Sequence, residues 1–321
     1  MKLVVLDGYA LNPGDLNWNG LSQFGNLTVF DRTSYNNKDI INNIGDAQII
    51  FTNKTPLNLD VLSEVPSVKY IGVLATGYNV VDTKTAKKLG ITVTNVPDYS
   101  SNAVAQFTMA LLLELCHHIG AHNNAVQNGD WIKNKDFCFW NHPLIELRGK
   151  TMGIVGFGKI GKATVKLAQA FGLKIKVYNR TVYKEFENDI LQFVSLDELL
   201  QTSDIISLHC PLTKQTEGLI NKKTLAKMKN SAMLINTSRG PLVNEKDLTL
   251  ALNNGELYGA AVDVISKEPM TKNNPLLNAK NCIITPHIAW ASKEARQRLM
   301  KTTVENLEAY ISGASKNVVN K

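Results

Sequence analysis

The chain has 321 residues, 44% of them apolar, enough to bury a large core and long enough for two domains of ordinary size. That content excludes a disordered chain, and the longest apolar stretch, residues 109–115, is broken by Glu114 and falls well short of the roughly 20 residues needed to cross a bilayer. The net charge is +7, but the basic residues are scattered among acidic ones with no block interleaved with aromatics, so they describe a solvated surface that steers anionic ligands, not a nucleic-acid binder.

Residues 1–7 run straight into a strand-like segment without a cleavage site of small residues. Cys116, Cys138, Cys210 and Cys282 lie far apart and form no CxxC pair. A cytoplasmic protein with reduced, packed thiols is expected, with no disulfide framework and no metal site. Apolar runs of strand length alternate with helix-like segments throughout, the pattern of parallel sheets covered by helices, so both domains are expected to be α/β. The first series of strands is predicted at 3–6, 27–30, 48–52, 70–73 and 92–95, with helical segments such as 39–44 and 83–89 between them. A long apolar helix at 101–118 follows the turn-like Pro97-Asp98-Tyr99-Ser100. Six further strands are predicted at 152–155, 174–178, 205–208, 233–236, 259–264 and 282–285, enough for a full dinucleotide-binding sheet. Another long helix covers 292–311, and the polar tail 315–321 is expected to fray. The first domain is therefore expected to be discontinuous, 1–100 with 288–321, and the second to occupy 101–287.

The most specific local motif is Gly156-Phe157-Gly158-Lys159-Ile160-Gly161, the GxGxxG spacing directly after an apolar strand and before the helical run 162–171. The first glycine permits a tight turn, the second lets the backbone approach a pyrophosphate, the third lets strand and helix pack closely, and the helix N-terminus faces the phosphates. A bare GxGxxG is a weak signal; its place between strand and helix, with the next strand at 174–178, makes it one for dinucleotide binding.

Three later segments end a predicted strand in polar groups, and ligands gather at the carboxyl edge of open α/β sheets. Asn236-Thr237-Ser238-Arg239 offers a guanidinium able to bind a carboxylate and polarise a carbonyl. Residues 261–269 offer Asp263 and Glu268. Thr285-Pro286-His287 offers a proton donor, provided that a carboxylate holds the imidazole protonated. Singly, Arg239 reads as a surface ion pair, Glu268 as a loop charge before Pro269 and His287 as a polar turn residue. Their order behind a dinucleotide motif makes the coincidence improbable.

These residues resemble the D-isomer-specific 2-hydroxyacid dehydrogenases over nearly the entire chain, from the segment Val73-Leu74-Ala75-Thr76-Gly77-Tyr78-Asn79-Val80-Val81-Asp82 to Thr285-Pro286-His287-Ile288-Ala289-Trp290. Within the family the resemblance is to the glycerate dehydrogenase or hydroxypyruvate reductase branch, through 75–82, 101–106, Phe139-Trp140-Asn141-His142-Pro143-Leu144 and Trp290. The resemblance implies two Rossmann-like domains, a parallel dinucleotide-binding sheet inserted into a flavodoxin-like substrate domain. It implies reduction of a small 2-keto acid, hydroxypyruvate or glyoxylate, to a D-2-hydroxy acid, without a metal. Arg239, Glu268 and His287 would be the catalytic set. Ala75, Thr76 and Gly77 would hold the substrate carboxylate, with Arg239, Trp290 and Trp140 at the substrate. The cofactor would meet Gly156, Gly158, Lys159, Ile160, Gly161, the strand end at 179–181, His209, Cys210, Pro211, Thr237, Ser238, Asp263 and His287, with Asp263 at the nicotinamide carboxamide. His209 and Cys210 would line the cleft without a chemical role. His117, His118, His122 and His142 fall outside the matching motif and read as structural or interface residues. A D-lactate or other D-2-hydroxyacid dehydrogenase is the alternative. A dinucleotide-sensing interaction protein without turnover is the rival from another class, opposed by the presence of all three catalytic residues.

Two expectations concern ligand choice and assembly. The strand 174–178 ends in Asn179-Arg180-Thr181, without the acidic residue that usually accepts from the ribose of NAD, which tips the reading to NADP(H) over NAD(H) with dual use left open. Residues 128–140 carry Trp131, Phe137, Phe139 and Trp140 in an irregular stretch, the mark of a homodimer interface, and related enzymes pair subunits there.

Overall fold

In the computed structural model, which describes Met1 to Lys321, contacts divide the chain into two units, Met1–Ser100 with Ala291–Lys321, and Ser101–Trp290. The chain thus returns to the first unit at Ala291, three positions after the expected 288. No single helix is long and apolar enough to cross a membrane.

The first unit carries a parallel five-stranded sheet in the order β2-β1-β3-β4-β5, made of β1 (Lys2–Val5), β2 (Asn26–Val29), β3 (Ile49–Thr52), β4 (Tyr70–Val73) and β5 (Thr92–Thr94). Every residue of β3 and β4 is buried, because helices cover both faces and a continuous apolar run replaces alternation. The turn after β3 is pinned by the Asp7 carboxylate, which accepts from the amides of Asn53, Lys54 and Thr55 at 2.7, 2.5 and 2.7 Å. The last helix, Lys293–Ile311, is N-capped by Ser292. It sends the buried Arg296 to the Asp15 carboxylate through two bonds of 2.7 Å, and that guanidinium holds the Asp15 carboxyl below its ordinary range.

The tail does not fray. Val318 pairs antiparallel with Thr94, the Val319 amide reaches Val93 O at 2.9 Å, and Asn320 both accepts from the Val93 amide and donates to Ile91 O. The edge strand β5 has backbone groups to satisfy, and asparagine side chains carry the donor and acceptor that satisfy them. Low hydrophobicity hid this role.

The second unit carries a parallel seven-stranded sheet in the order β12-β11-β10-β9-β6-β7-β8. Its strands are β6 (Thr151–Val155), β7 (Lys174–Tyr178), β8 (Leu191–Phe193), β9 (Ile205–Leu208), β10 (Met233–Asn236), β11 (Gly259–Val262) and β12 (Cys282–Ile284). One apolar cluster lies on each face, one around Leu199, Leu234 and Leu248, the other around Leu112, Ile154 and Ile235. The sequence shows six of these strands; β8 is the addition. It has only three residues, too few to display a period, and its Phe193 ring packs 5.2 Å from Phe157 of the glycine turn. The helix Ser101–His117 stops at His118, whose left-handed φ of 48° ends it, and the helix Ile119–Gln127 follows at once.

Candidate active site

The sheet order of the second unit places six consecutive strand ends along one carboxyl edge, from His287 after β12, through Asp263 after β11, Arg239 after β10, His209 after β9 and Gly156 after β6, to Asn179 after β7. Chain direction reverses its progress across the sheet between β6 and β9, the switch point at which open α/β sheets bind ligands.

At β6 each glycine has its own reason. Gly156 stands at φ +100°, and a Cβ there would lie 2.7 Å from the amide nitrogen of Cys210. A Cβ on Gly161 would come within 2.2 Å of Gly156 O, so helix Lys159–Ala170 can approach the turn only without one. A Cβ on Gly158 would meet nothing within 4 Å. Packing therefore requires the first and third glycines, while the second faces open space at the N-terminus of a 12-residue helix that has no side-chain cap. Those amides and that space fit a pyrophosphate. Lys159, Ile160 and Gly161 form the first turn of this helix.

A cavity of about 600 Å³ opens beside the turn and brings together Gly156, Gly158, Asn179, Arg180, Thr181, His209, Cys210 and Pro211. Asn179 is committed locally: its Oδ1 accepts from the Phe157 amide at 3.0 Å and its Nδ2 donates to Thr181 O at 2.8 Å. Arg180 and Thr181 are exposed on the cavity wall. The His209 ring bonds Ser207 Oγ at 2.8 Å through Nε2, its Nδ1 is buried without a partner, and burial pushes its pKa down to about 4. Burial also raises the Cys210 thiol above its ordinary range, so both side chains are neutral walls at neutral pH.

Thr237, Ser238, Asp263 and His287 do not line this cavity; they stand at the strand ends beyond it. Buried Asn236 shapes the turn after β10, accepting from the Ser238 amide at 3.1 Å and donating to Arg239 O at 2.9 Å, while Ser238 Oγ donates to Leu208 O. Thr237 is buried against Thr108 Oγ1 at 3.1 Å. Arg239 is left exposed, with one bond from Nη1 to Ser238 O.

His287 Nδ1 lies 2.7 Å from Glu268 Oε2, and Glu268 Oε1 accepts from the Ile265 amide at 3.3 Å. With Nδ1 turned to the carboxylate, Nε2 is the nitrogen free to deliver a proton. His287 itself has φ +56°, a left-handed conformation that costs about 1 kcal/mol or more outside glycine. Asp263 holds it there. That carboxylate is 1% exposed and accepts from Thr285 Oγ1 at 2.7 Å and from the Ile288 and Ala289 amides, each at 2.9 Å, while Asp263 O accepts from the His287 amide at 2.8 Å. Trp290 closes the turn by donating its indole N–H to His287 O at 2.9 Å.

Residues 109–289 match the profile described as D-isomer specific 2-hydroxyacid dehydrogenase, NAD binding domain. Over its full length the chain is 55% identical to a hydroxypyruvate reductase of Blautia hydrogenotrophica, covering 100% of both proteins. The chain belongs to the D-isomer-specific 2-hydroxyacid dehydrogenase family. A glycerate dehydrogenase of Methylorubrum extorquens is 42% identical over 99% of this chain and 98% of its own. The structure of a D-lactate dehydrogenase from Aquifex aeolicus, complexed with NAD and lactic acid, superposes with a TM-score of 0.85 at 28% identity, covering 100% of this chain and 99% of that one. The family resemblance and the glycerate dehydrogenase branch read from the sequence both hold, and so does the pair of α/β units.

In the first unit, Ala75, Thr76 and Gly77 follow β4 as an irregular loop. The carbonyls of Ala75 and Thr76 are taken by the Val96 amide and the Asn95 side chain, while the three amide N–H groups of the loop make no hydrogen bond within that unit. Trp140 belongs to the second unit, 65% exposed in the irregular segment before β6. Sequence reading did not name Tyr183, Thr213, Gln215 and Thr216, which also line the cavity beside the glycine turn. The run Pro211-Leu212-Thr213 was a signal for the last three, because Thr216 Oγ1 donates to Pro211 O at 2.7 Å and accepts from the Thr213 amide at 2.8 Å, a turn built by threonines.

Proposed function

We propose that this dehydrogenase reduces hydroxypyruvate or glyoxylate to the corresponding D-2-hydroxy acid. The observation that carries the proposal is the 2.7 Å pair of His287 Nδ1 and Glu268 Oε2 at the carboxyl edge of a sheet with a glycine turn, in a chain that full-length hydroxypyruvate reductase and glycerate dehydrogenase relatives resemble. A bound nicotinamide supplies the hydride to the keto carbon. Arg239, exposed at the end of β10, stabilises the negative charge that grows on the carbonyl oxygen, and His287 Nε2 gives that oxygen its proton. Glu268 favours the imidazolium form before transfer. The amides of Ala75, Thr76 and Gly77 take the substrate carboxylate, and Asp263 acts chiefly by holding His287. Loss of reduced-nicotinamide absorbance with hydroxypyruvate, glyoxylate, pyruvate and a bulky aliphatic 2-keto acid, ranked by kcat/KM, tests the substrate. A ranking led by pyruvate or the bulky acid overturns it, and no turnover with any would return the chain to a dinucleotide sensor.

The proposal extends to NADP(H) in preference to NAD(H), on Arg180 and the missing strand-end carboxylate, and to a cytoplasmic homodimer. The dimer rests on a second cavity lined by His117, Ile119, His122, Trp131, Phe139 and Trp140, next to Ile132 and Phe137, each 89% exposed. Trp140 would there reach the partner's substrate pocket. Sedimentation at micromolar concentration should give twice the 35.4 kDa of one chain; a single-chain mass removes the dimer.

A further inference from the structure

Glu268 sits on a loop, and what holds that loop is not in the catalytic set. Glu245, the first residue of the helix Glu245–Asn253, reaches across to it with both carboxylate oxygens. Oε1 accepts from the Ser266 amide at 2.5 Å, and Oε2 accepts from Asn274 Nδ2 at 2.9 Å. The two contacts bracket Glu268, one on each side in sequence. Asn274 is itself 7% exposed and caps the turn Pro275–Asn278 through the Leu276 amide at 2.9 Å, so the second contact ends on a fixed group. A steric interlock lies next to these bonds. Gly240, directly after Arg239, approaches the loop so closely that a Cβ would fall 1.9 Å from the carbonyl carbon of Ile265 and 2.4 Å from the Ser266 nitrogen. The segment 239–245 that begins with Arg239 is therefore joined at both ends to the loop that carries Glu268.

We propose that Glu245 is a positioning residue for proton transfer: by clamping the backbone on both sides of Glu268, it sets the carboxylate that orients and charges His287. This rests on the catalytic reading given above. Among the ionisable groups at the His287 turn, Glu268 is bonded to the ring and Asp263 to the backbone; Lys267 and Glu245 belong to the loop and its clamp, and Arg239 opens the facing segment. Removal of the clamp loosens the Glu268–His287 pair, and an imidazole with a weaker carboxylate partner loses its proton at lower pH. Reduction needs the protonated form, so its alkaline limb moves to lower pH.

The experiment compares Glu245→Ala, Glu245→Gln and Glu268→Gln with the parent, measuring the pH profile of kcat/KM for hydroxypyruvate reduction and the cofactor Kd by fluorescence. The Gln variant at 245 keeps one acceptor and should lie between parent and Ala. For Glu245→Ala we expect the alkaline limb to move to lower pH and kcat to fall by roughly tenfold, with cofactor Kd unchanged. Glu268→Gln should move the same limb further. If Glu268→Gln leaves the limb in place, the catalytic reading itself fails. If Glu268→Gln moves it while both Glu245 variants keep the parental limb, Glu245 does not position the pair, and that holds even if Glu245→Ala melts earlier or turns over more slowly.

Discussion

The two ends of the cofactor edge are built differently. At the β10–β12 end the carboxylates are fastened: Asp263 accepts three hydrogen bonds while buried, Glu268 faces His287 at 2.7 Å, and Glu245 bridges two points of the neighbouring loop, with Arg239 left exposed beside them. At the β7 end, Asn179 is tied to the turn, but Arg180 and Thr181 stand exposed. In the proposed reaction this end carries the proton transfer, which needs its groups held to within a fraction of an ångström, and its hydrogen bonds meet that need. A phosphate or ribose can be gripped by a side chain that orders only when the ligand arrives, at the cost of its rotamer freedom. Substitutions should therefore act through turnover and folding at the first end and through ligand preference at the second.

The largest effect is expected at His287. His287→Asn removes the proton donor and leaves the glycine turn intact, so kcat for keto-acid reduction should fall by roughly a hundredfold to ten-thousandfold with cofactor Kd near the parental value. Arg239→Ala should lower kcat and raise substrate KM together, because one guanidinium serves both states. Stopped-flow turnover and fluorescence titration separate the two, and near-normal kcat in either variant would take the catalytic role away from this end of the sheet.

Next comes Asp263. In Asp263→Asn one oxygen becomes an NH2 group facing amide or hydroxyl donors in a buried site, and the charge that strengthens the remaining bonds is lost. A loss of about 3 kcal/mol is expected. In a unit of this size that lowers the melting temperature by roughly 6 to 12 °C. Unchanged melting would mean that the His287 turn holds its left-handed residue without this carboxylate.

His209 predicts a dependence on pH. Its folded pKa of about 4 lies below the ordinary 6.5, so between those values the unfolded chain binds more protons than the folded one. Stability present at neutral pH is lost as pH falls through that window, by about 3 kcal/mol for the full shift. His209→Gln should make denaturant midpoints at pH 7 and pH 4.5 converge relative to the parent, and an unchanged gap would assign acid sensitivity elsewhere.

What the sequence made legible follows the same division. Strand runs such as Ile49–Thr52 and Ile205–Leu208 show because buried parallel strands are continuously apolar, and the glycine spacing shows because backbone crowding at Gly156 and Gly161 admits nothing larger. Arg239, Glu268 and His287 stand out in the sequence as polar side chains at strand ends, by type and order, and the structure pairs the last two. Their supports do not stand out. Glu245 lies 23 residues before Glu268 and contacts a backbone amide and an asparagine, a pairing with no period and no motif. The sequence offers Asp263 as a cofactor contact, and nothing in it says that this carboxylate also points at the amides of residues 288 and 289. The tail and β8 were hidden for a related reason: both are held by edge pairing and ring contacts that hydrophobic patterning does not encode.

The smallest effect, and the one that most sharpens the comparison, is expected at Arg180. A strand-end carboxylate would repel a 2′-phosphate; Asn179 does not, and with each end of its amide bonded once, to Phe157 and Thr181, it keeps one donor hydrogen and one lone pair for a ribose but no charge to select against a phosphate. Discrimination then falls to Arg180 with Thr181 beside it. A charge-assisted contact of this kind contributes roughly 1.5 to 3 kcal/mol, which is about tenfold or more in affinity. Because the guanidinium is exposed before binding, solvent and the ordering of its side chain take part of that gain, and about tenfold is the expected size. Arg180→Ala should lower kcat/KM for NADPH by that factor at fixed hydroxypyruvate, leave the value for NADH within about twofold, and leave the melting temperature unchanged, since no fold contact is lost. If the parent prefers NADH and the substitution leaves the ratio where it was, Arg180 does not read the phosphate and NADP(H) loses its support at β7. If instead the ratio moves and the melting temperature falls with it, Arg180 is fastened like Asp263, and the contrast between the two ends of the edge is smaller than their hydrogen bonds imply.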